Sequence, residues 1–297
     1  MSRETPKERL AYWSYRGLEA SAMHLPEGMG RRLFAAVGGL AYRRLHGVRA
    51  TVAANQARVL GLDPSDDRVR ASTHEAFDLY ARYWYDTFRV RRLPVGVVNE
   101  RAEMVHVHHI DRALAAGRGC IVALPHMGNW DIGGHYLAVN GYAIAAVAEE
   151  LRPARLSALF LRHREELGMR IIPLSKNGHV GQQLKQLLEK NWVVALVADR
   201  DITGRGVEVE MFGATRRVPA GPALLSLTSG APLLVCPVYT TTRGWRIEIG
   251  APLEIEPSGN TRNDVRALSR RMAAEFERAI AARPSDWHLF QPGWDPV

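Results

Sequence analysis

The sequence lacks the features that would place it in several common protein classes. It holds only two cysteines in 297 residues, Cys120 and Cys236, and no Cys-x-x-Cys pair, so a cysteine-rich zinc site is not indicated. Both cysteines lie in apolar runs, which predicts buried thiols in a reducing compartment. No uncharged apolar run approaches the roughly 18 residues needed to span a bilayer, and the first residues carry no apolar signal-peptide segment. If the chain acts on lipid, we expect it to lie on the membrane rather than cross it.

The charge of the chain is strongly positive without being concentrated in one run. The formal net charge is +8 and the pI is about 9.8, an excess that favours polyanions such as nucleic acid, an anionic membrane or phosphorylated substrates. No run of five basic residues occurs, and no RNP, zinc-finger or basic-zipper pattern is present. We therefore expect an anionic membrane surface or a phosphorylated substrate as the partner, and no nucleic acid.

The pattern of apolar residues changes at about residue 103. The first ninety residues are predicted to be helical, with an aromatic-rich helix from about Asp67 to Val90. Beyond that point short apolar runs alternate with helical segments, which is typical of an α/β fold. The predicted strands are Met104–His108, Cys120–Leu124, Ala143–Val147, Ile171–Pro173, Val193–Ala198, Val207–Met211, Leu233–Val238 and Trp245–Ile249. The predicted helices are Asn129–Val139, Arg155–Leu167, Val180–Lys190, Pro222–Ser229 and Arg262–Ala282.

The predicted architecture is a central mixed sheet flanked by helices, with a helical N-terminal extension. Residues 1–100 would form the extension and residues 101–297 the α/β core, together as one integrated domain. The basic and aromatic N-terminal helices have two interpretations, packing against the core or contact with the bilayer. We expect a mixture, with residues 1–45 nearest the membrane.

The segment IVALPHMGNWDIGGH contains the candidate catalytic residues His126 and Asp131. An apolar strand ends before His126, and Gly128 and Asn129 predict a tight turn and a helix N-cap, which places Asp131 in the first helical turn. Ligands bind at the carboxyl ends of strands in open α/β sheets. We expect Asp131 to orient the His126 imidazole, which would then act as general base. The alternative is a histidine that caps a turn and an aspartate that favours a helix start.

Several ordered blocks resemble a known family. HMGNWD is similar to the His-x4-Asp/Glu block of the bacterial lysophospholipid acyltransferase-like superfamily, in the branch of the lipid A late acyltransferases and the phosphatidylinositol mannoside acyltransferases. The blocks ARYWYDTFRV, VADRDITGRGVEV and PSDWHLFQPGW look most like the phosphatidylinositol mannoside enzymes. The resemblance covers most of the chain and so is more specific than one motif.

The resemblance implies a long-chain acyl-CoA donor such as palmitoyl-CoA, a mannosylated phosphatidylinositol acceptor, and work at the cytoplasmic face of the cell membrane. It implies no cofactor and no metal. Arg164 would lie near the acceptor head group, Asp199 and Glu149 would bind acceptor hydroxyls, and Arg200 joins the same substrate-binding set. The alternatives are a solvated Arg164 and a structural ion pair between Asp199 and Arg200.

Other interpretations remain open from the sequence. His126, Asp131 and His135 could be ligands of a metal-dependent hydrolase, and the charge alone would suit a non-catalytic membrane-binding module. Within the acyltransferases, a lipid A-type or lysophospholipid enzyme is the alternative. Arg216 and Arg217 could contact donor phosphates or lie on the surface, and the tryptophans at 287 and 294 are expected in the core.

Overall fold

The computed structural model describes residues 5–149, 153–174, 179–202 and 204–294. Its helices are α1 (Pro6–His24), α2 (Glu27–Arg44), α3 (His46–Leu60), α4 (Asp67–Val90), α5 (Val95–Arg101), α6 (His108–Ala115), α7 (Trp130–Val139), α8 (Ala154–Glu166), α9 (Val180–Glu189), α10 (Gly221–Ser229) and α11 (Thr261–Ala282). Its strands are β1 (Ala102–Val105), β2 (Cys120–Leu124), β3 (Ile144–Glu149), β4 (Arg170–Leu174), β5 (Val193–Val197), β6 (Val207–Met211), β7 (Ala214–Val218), β8 (Leu233–Val235), β9 (Val238–Thr240) and β10 (Trp245–Glu248).

Local sequence signals begin and end the N-terminal helices. Thr5 caps α1 in a reciprocal capping box with Glu8, and the Asp66 side chain accepts a hydrogen bond at the start of α4. Gly61, in the left-handed conformation, ends α3. Helix α4 matches the predicted Asp67–Val90 segment at both ends, and it packs against α1, α2 and α3.

The central sheet has five strands in the order β4-β3-β5-β2-β8, all parallel where they pair. Every residue of β2 is buried, as expected for a strand covered on both faces by helices. The pairing register sets Leu124 of β2 beside Val197 of β5, and Ala146 of β3 beside Ala195 of β5. The carboxyl ends of β3, β5 and β2 therefore meet at one edge of the sheet.

Antiparallel pairing is found in two smaller sheets, β1-β10-β9 and the hairpin β6-β7. The predicted α/β class with an N-terminal helical extension is confirmed. Helices α5 and α6 and strand β7 were not predicted, and the predicted strand Leu233–Val238 is divided into β8 and β9 by the segment that contains Pro237. The boundary at about residue 100 stays a prediction.

Cys120 and Cys236 are both buried and unpaired, as their apolar surroundings predicted. Over the described residues, no helix combines the length and the apolar character that crossing a membrane requires.

Candidate active site

The loop between β2 and α7 has the geometry that its sequence predicts. Gly128 has a positive φ of 56°, and a Cβ there would overlap the Val238 carbonyl oxygen. The Asn129 side chain caps α7 by accepting a hydrogen bond from the Ile132 amide at 3.2 Å. His126 therefore leaves the carboxyl end of β2, and Asp131 lies in the first turn of α7.

The carboxylate at His126 belongs to Asp199. The His126 Nδ1 lies 2.5 Å from the Asp199 Oδ1. Sheet register explains this contact, because His126 and Asp199 each follow the paired residues Leu124 and Val197 by two positions on adjacent parallel strands. The Asp199 side chain is 0% exposed, whereas the His126 side chain is 23% exposed. The buried carboxylate thus supports an imidazole that solvent and substrate can reach.

The surroundings of Asp199 favour its charged form. Burial alone would raise the pKa of Asp199, but His126, the Trp287 indole N–H and the Arg216 guanidinium outweigh burial and hold that pKa below its usual range. With Asp199 ionised, the neutral His126 donates its Nδ1–H to the carboxylate. Its Nε2 then carries the free lone pair that a general base needs.

The expectation that Asp131 would be the carboxylate at Nδ1 of His126 therefore needs correction. The Asp131 Oδ1 accepts a hydrogen bond from the Arg164 Nε at 2.7 Å, and its Oδ2 accepts one from the Tyr83 hydroxyl at 2.9 Å. Burial raises the pKa of Asp131, but the Arg164 cation and the two hydrogen bonds bring it below its usual value. The first turn of α7 directs Asp131 towards α8, to which it is joined by the ion pair with Arg164, and towards α4, to which it is joined by the hydrogen bond from Tyr83.

The other predicted binding residues are divided between two places. Arg164 is ion-paired with Asp131 and lines the cavity described below, so it is not a freely solvated arginine. Arg200 donates to the Glu149 carboxylate at 2.8 Å and to the Gln291 side chain at 3.1 Å. The alternative ion pair between Asp199 and Arg200 is replaced by the pair of Arg200 with Glu149, which ends the neighbouring strand β3.

Sequence reasoning missed three residues from later in the chain that surround the His126–Asp199 pair, called the dyad below. The Trp287 Nε1 donates to the Asp199 Oδ2 at 2.8 Å, so Trp287 is in the core as expected but also has a polar partner. Arg216 is buried rather than on the surface, and its Nη2 donates to the Asp199 carbonyl oxygen at 2.6 Å. The His288 amide donates to the His126 carbonyl at 2.7 Å. The only sequence signal was the aromatic block DWHLF, whose contacts depend on the tertiary fold.

A large cavity opens beside the dyad. It has a volume of about 880 Å³ and includes His126, Asp131, Glu149, Arg164 and Arg200 in its lining. Most of the remaining lining is apolar and comes from β2, β3, β5, α7 and α10, including Val122, Leu124, Leu137, Ile144, Ala146, Ala195, Val197, Leu224 and Leu225. A cavity of this size with a few convergent polar groups is typical of a small-molecule site.

The proposed metal ligands are not arranged as a metal centre. The His135 Nδ1 pairs with the Leu167 carbonyl oxygen at 2.9 Å, and Asp131 is engaged by Arg164 and Tyr83. Within the ranges that the structure describes, no group of three His, Cys, Asp or Glu residues is placed to hold a metal ion. The geometry therefore gives the hydrolase interpretation no support.

The chain is similar to known proteins along nearly its whole length. The profile of the bacterial lipid A biosynthesis acyltransferase family matches residues 2–295. A phosphatidylinositol mannoside acyltransferase of Mycolicibacterium smegmatis is 36% identical over 274 residues, which cover 91% of this chain and 86% of the relative. A phosphatidylinositol mannoside acyltransferase of Mycobacterium tuberculosis is 37% identical over 287 residues, which cover 95% of this chain and 88% of the relative. With its histidine–carboxylate pair at an apolar cavity and this similarity along nearly its whole length, the chain belongs to the bacterial lipid A biosynthesis acyltransferase family and is an acyltransferase.

Proposed function

We propose that this protein transfers a long fatty acyl group from acyl-CoA to a mannose hydroxyl of a phosphatidylinositol mannoside. The observation that carries the proposal is the His126–Asp199 pair at the edge of an apolar cavity of about 880 Å³. The names of the two mycobacterial relatives support the acceptor.

The chemical step is a direct acyl transfer. The His126 Nε2 removes the proton from the acceptor hydroxyl as its oxygen attacks the thioester carbonyl. Asp199 holds the Nδ1–H and stabilises the imidazolium that forms. When the tetrahedral intermediate collapses, the C–S bond breaks and the departing thiolate takes the proton from His126. The products are the ester and free thiol, and His126 is returned to its neutral form.

The oxyanion of the intermediate needs hydrogen-bond donors. The first-turn amides of an α-helix have no intrahelical acceptor, and those of Trp130 and Asp131 in α7 follow His126 closely. Both residues line the cavity. We propose that these amides, aided by the positive end of the helix dipole, stabilise the oxyanion.

The cavity also suits the donor. Its apolar part, built from β2, β5 and α7, can shield an acyl chain from water. Lys185 and Arg205 lie in the same lining, where positive charge would favour the phosphates of coenzyme A. The thioester would then lie between the apolar part and this basic part, close to His126.

The polar groups around the dyad suit a sugar phosphate head group. Glu149 and Arg200 form an ion pair at the end of β3, and Arg164 lines the cavity from α8. An arginine can hold a phosphate through its fork of N–H groups, and a carboxylate can accept hydrogen bonds from sugar hydroxyls. A site with such groups discriminates strongly against acceptors that leave them unpaired.

We also propose attachment to the cytoplasmic face of the cell membrane through the N-terminal surface, defined here as the exposed residues of 7–45. This surface presents the apolar side chains Leu10, Trp13, Met29, Leu33, Val37, Leu40 and Leu45. The exposed basic residues Lys7, Arg9, Arg32, Arg43 and Arg44 lie on the same segment. Apolar residues mixed with arginine and lysine are typical of helices that lie at an anionic bilayer interface.

An acceptor panel tests the proposed function. Purified protein is incubated with palmitoyl-CoA and, in separate reactions, with a phosphatidylinositol mannoside, lysophosphatidic acid or a lipid A precursor, and the products are identified by mass spectrometry. We expect the mannosylated lipid to be acylated fastest and His126→Ala to remove nearly all turnover. Faster acylation of lysophosphatidic acid would overturn the acceptor assignment, and full turnover by His126→Ala would overturn the mechanism.

A further inference from the structure

We propose that Trp287 is a positioning residue for acyl transfer, whose indole N–H fixes the Asp199 carboxylate so that its other oxygen faces His126. This inference rests on the proposed function, because it assigns Trp287 a part in the same proton transfer. Trp287 does not line the cavity, so it would act through Asp199 rather than on a substrate.

Both oxygens of Asp199 are taken by ring N–H groups. The Oδ1 faces the His126 Nδ1 at 2.5 Å, and the Oδ2 accepts from the Trp287 Nε1 at 2.8 Å. Asp199 is 0% and Trp287 is 1% exposed. Water cannot easily replace the indole in such a place, and a buried carboxylate oxygen without a donor is costly. The indole therefore sets the orientation of the carboxylate.

The backbone around Trp287 fixes the indole relative to the catalytic loop. Met127 and Trp287 form an antiparallel bridge. The Gly128 amide donates to the Asp286 carbonyl at 2.9 Å, and the His288 amide donates to the His126 carbonyl at 2.7 Å. Each residue of the segment 286–288 is thus tied to the loop that carries His126. These contacts hold the Trp287 indole N–H in a set position relative to His126.

Arg216 completes the surroundings of Asp199. Its guanidinium lies 5.4 Å from the Trp287 ring centre, and it donates to the Asp199 carbonyl at 2.6 Å. The charged and titratable groups near the Asp199 carboxylate are therefore His126 from the β2–α7 loop and Arg216 from β7, and the neutral His288 follows Trp287. Among the residues that the structure describes, the Trp287 indole and the His126 ring bond to the two carboxylate oxygens, whereas Arg216 bonds to the backbone carbonyl.

Trp287→Phe removes the N–H and keeps an aromatic ring. We expect kcat to fall roughly tenfold, since hydrogen bonds to charged groups are among the stronger ones, with the KM for palmitoyl-CoA unchanged. The freed carboxylate becomes more basic and strengthens proton binding by the His126–Asp199 pair. The acid limb of the kcat/KM profile should therefore move to higher pH, by about half a unit or more.

Trp294→Phe is the matched control. Trp294 also lies against Arg216, at 5.1 Å, but its Nε1 has no hydrogen-bond partner among the residues that the structure describes. The control should keep the wild-type pH profile and turnover, although both variants lose ring volume. If Trp287→Phe is too unstable, replacement of the Trp287 indole by its sulfur analogue, benzothiophene, removes the N–H and keeps the shape.

A double-mutant cycle distinguishes positioning from general destabilisation. If Trp287 acts through Asp199, adding Trp287→Phe to Asp199→Asn should slow transfer by less than about twofold. A full tenfold further loss, or wild-type kinetics in the single variant, would overturn the proposal.

A spectroscopic readout separates this inference from the proposed function. In protein labelled at tryptophan, Asp199→Asn should shift the Nε1–H resonance of Trp287 and leave that of Trp294 in place. An unmoved Trp287 resonance would overturn the positioning role. Absence of transfer from acyl-CoA in the wild-type protein would instead overturn the proposed function, and the resonance shift would still be measurable.

Discussion

Two buried aspartates near His126 have different partners, and the same substitution should have different effects at each. Asp199→Asn leaves His126 without its carboxylate, and the amide can hold the imidazole in the wrong tautomer. We expect kcat to fall by about 10³- to 10⁴-fold with little change in thermal stability, as in other histidine–carboxylate pairs. Turnover and thermal melting of the purified variant test this prediction, with His126→Ala as the reference for an inactive site.

Asp131→Asn is the comparison variant. It leaves Arg164 without its anion in a largely buried place, and breaking a buried pair costs about 3–5 kcal/mol. Its main effect should be a lower melting temperature, with residual turnover above that of Asp199→Asn wherever the variant is folded. The opposite ranking, with Asp131→Asn inactive and fully stable, would return Asp131 to the role of direct partner of His126.

Helices α1 and α2 carry the N-terminal surface that should bind the enzyme to the membrane, where its lipid substrate lies. The residues Leu33, Val37 and Leu40 are exposed on α2, beside the exposed Arg32. Replacing all three by glutamine should weaken binding to anionic vesicles at least about tenfold, because each buried apolar side chain contributes on the order of 1 kcal/mol or more. Vesicle cosedimentation measures the effect.

Val95→Gln provides the matched control for this surface. Val95 is similarly exposed but lies at the start of α5, outside the N-terminal surface. Its binding should equal that of the wild type. Raising the salt concentration should weaken binding of the wild type, because exposed charges are screened. Unchanged binding by the triple variant, or equal binding to neutral vesicles at all salt concentrations, would contradict the proposed attachment.

His288 should lower the stability of the whole molecule, measured as its free energy of unfolding, as the solution becomes acidic. Burial lowers the pKa of His288 to about 3. Its Nε2 donates to the Gly128 carbonyl, and its Nδ1 has no partner within the described part of the chain. In the unfolded chain a histidine titrates near 6.5. Below that pH the unfolded state binds the proton and the folded state does not, so stability declines from about pH 6.5 towards pH 3.

His288→Gln isolates this contribution. A glutamine amide can still donate to the Gly128 carbonyl but does not titrate. Between pH 6.5 and pH 5 the wild type should lose about 1.6 kcal/mol more of its free energy of unfolding than the variant does. Urea denaturation at the two pH values measures the difference. Parallel losses in both proteins would show that His288 is protonated in the folded state as readily as in the unfolded state.

The sequence by itself determined the local features of this protein. The apolar runs and helix caps determined most strands and helices, including both ends of α4. The residues Gly128 and Asn129 determined the turn and the cap that place His126 after a strand and Asp131 within a helix. These features depend on interactions over a few residues, and patterns of neighbouring side chains are sufficient to predict them.

Only the tertiary structure decided which groups meet at the site. His126 and Asp199 are 73 residues apart, and Trp287 and Asp199 are 88 residues apart. Their contacts depend on β5 lying beside β2 and on the C-terminal segment returning to the catalytic loop. Strand order and long-range docking follow from the packing of the whole core, which no local pattern encodes. The nearest carboxylate in the sequence, Asp131, therefore pairs with Arg164, and a distant one faces the histidine.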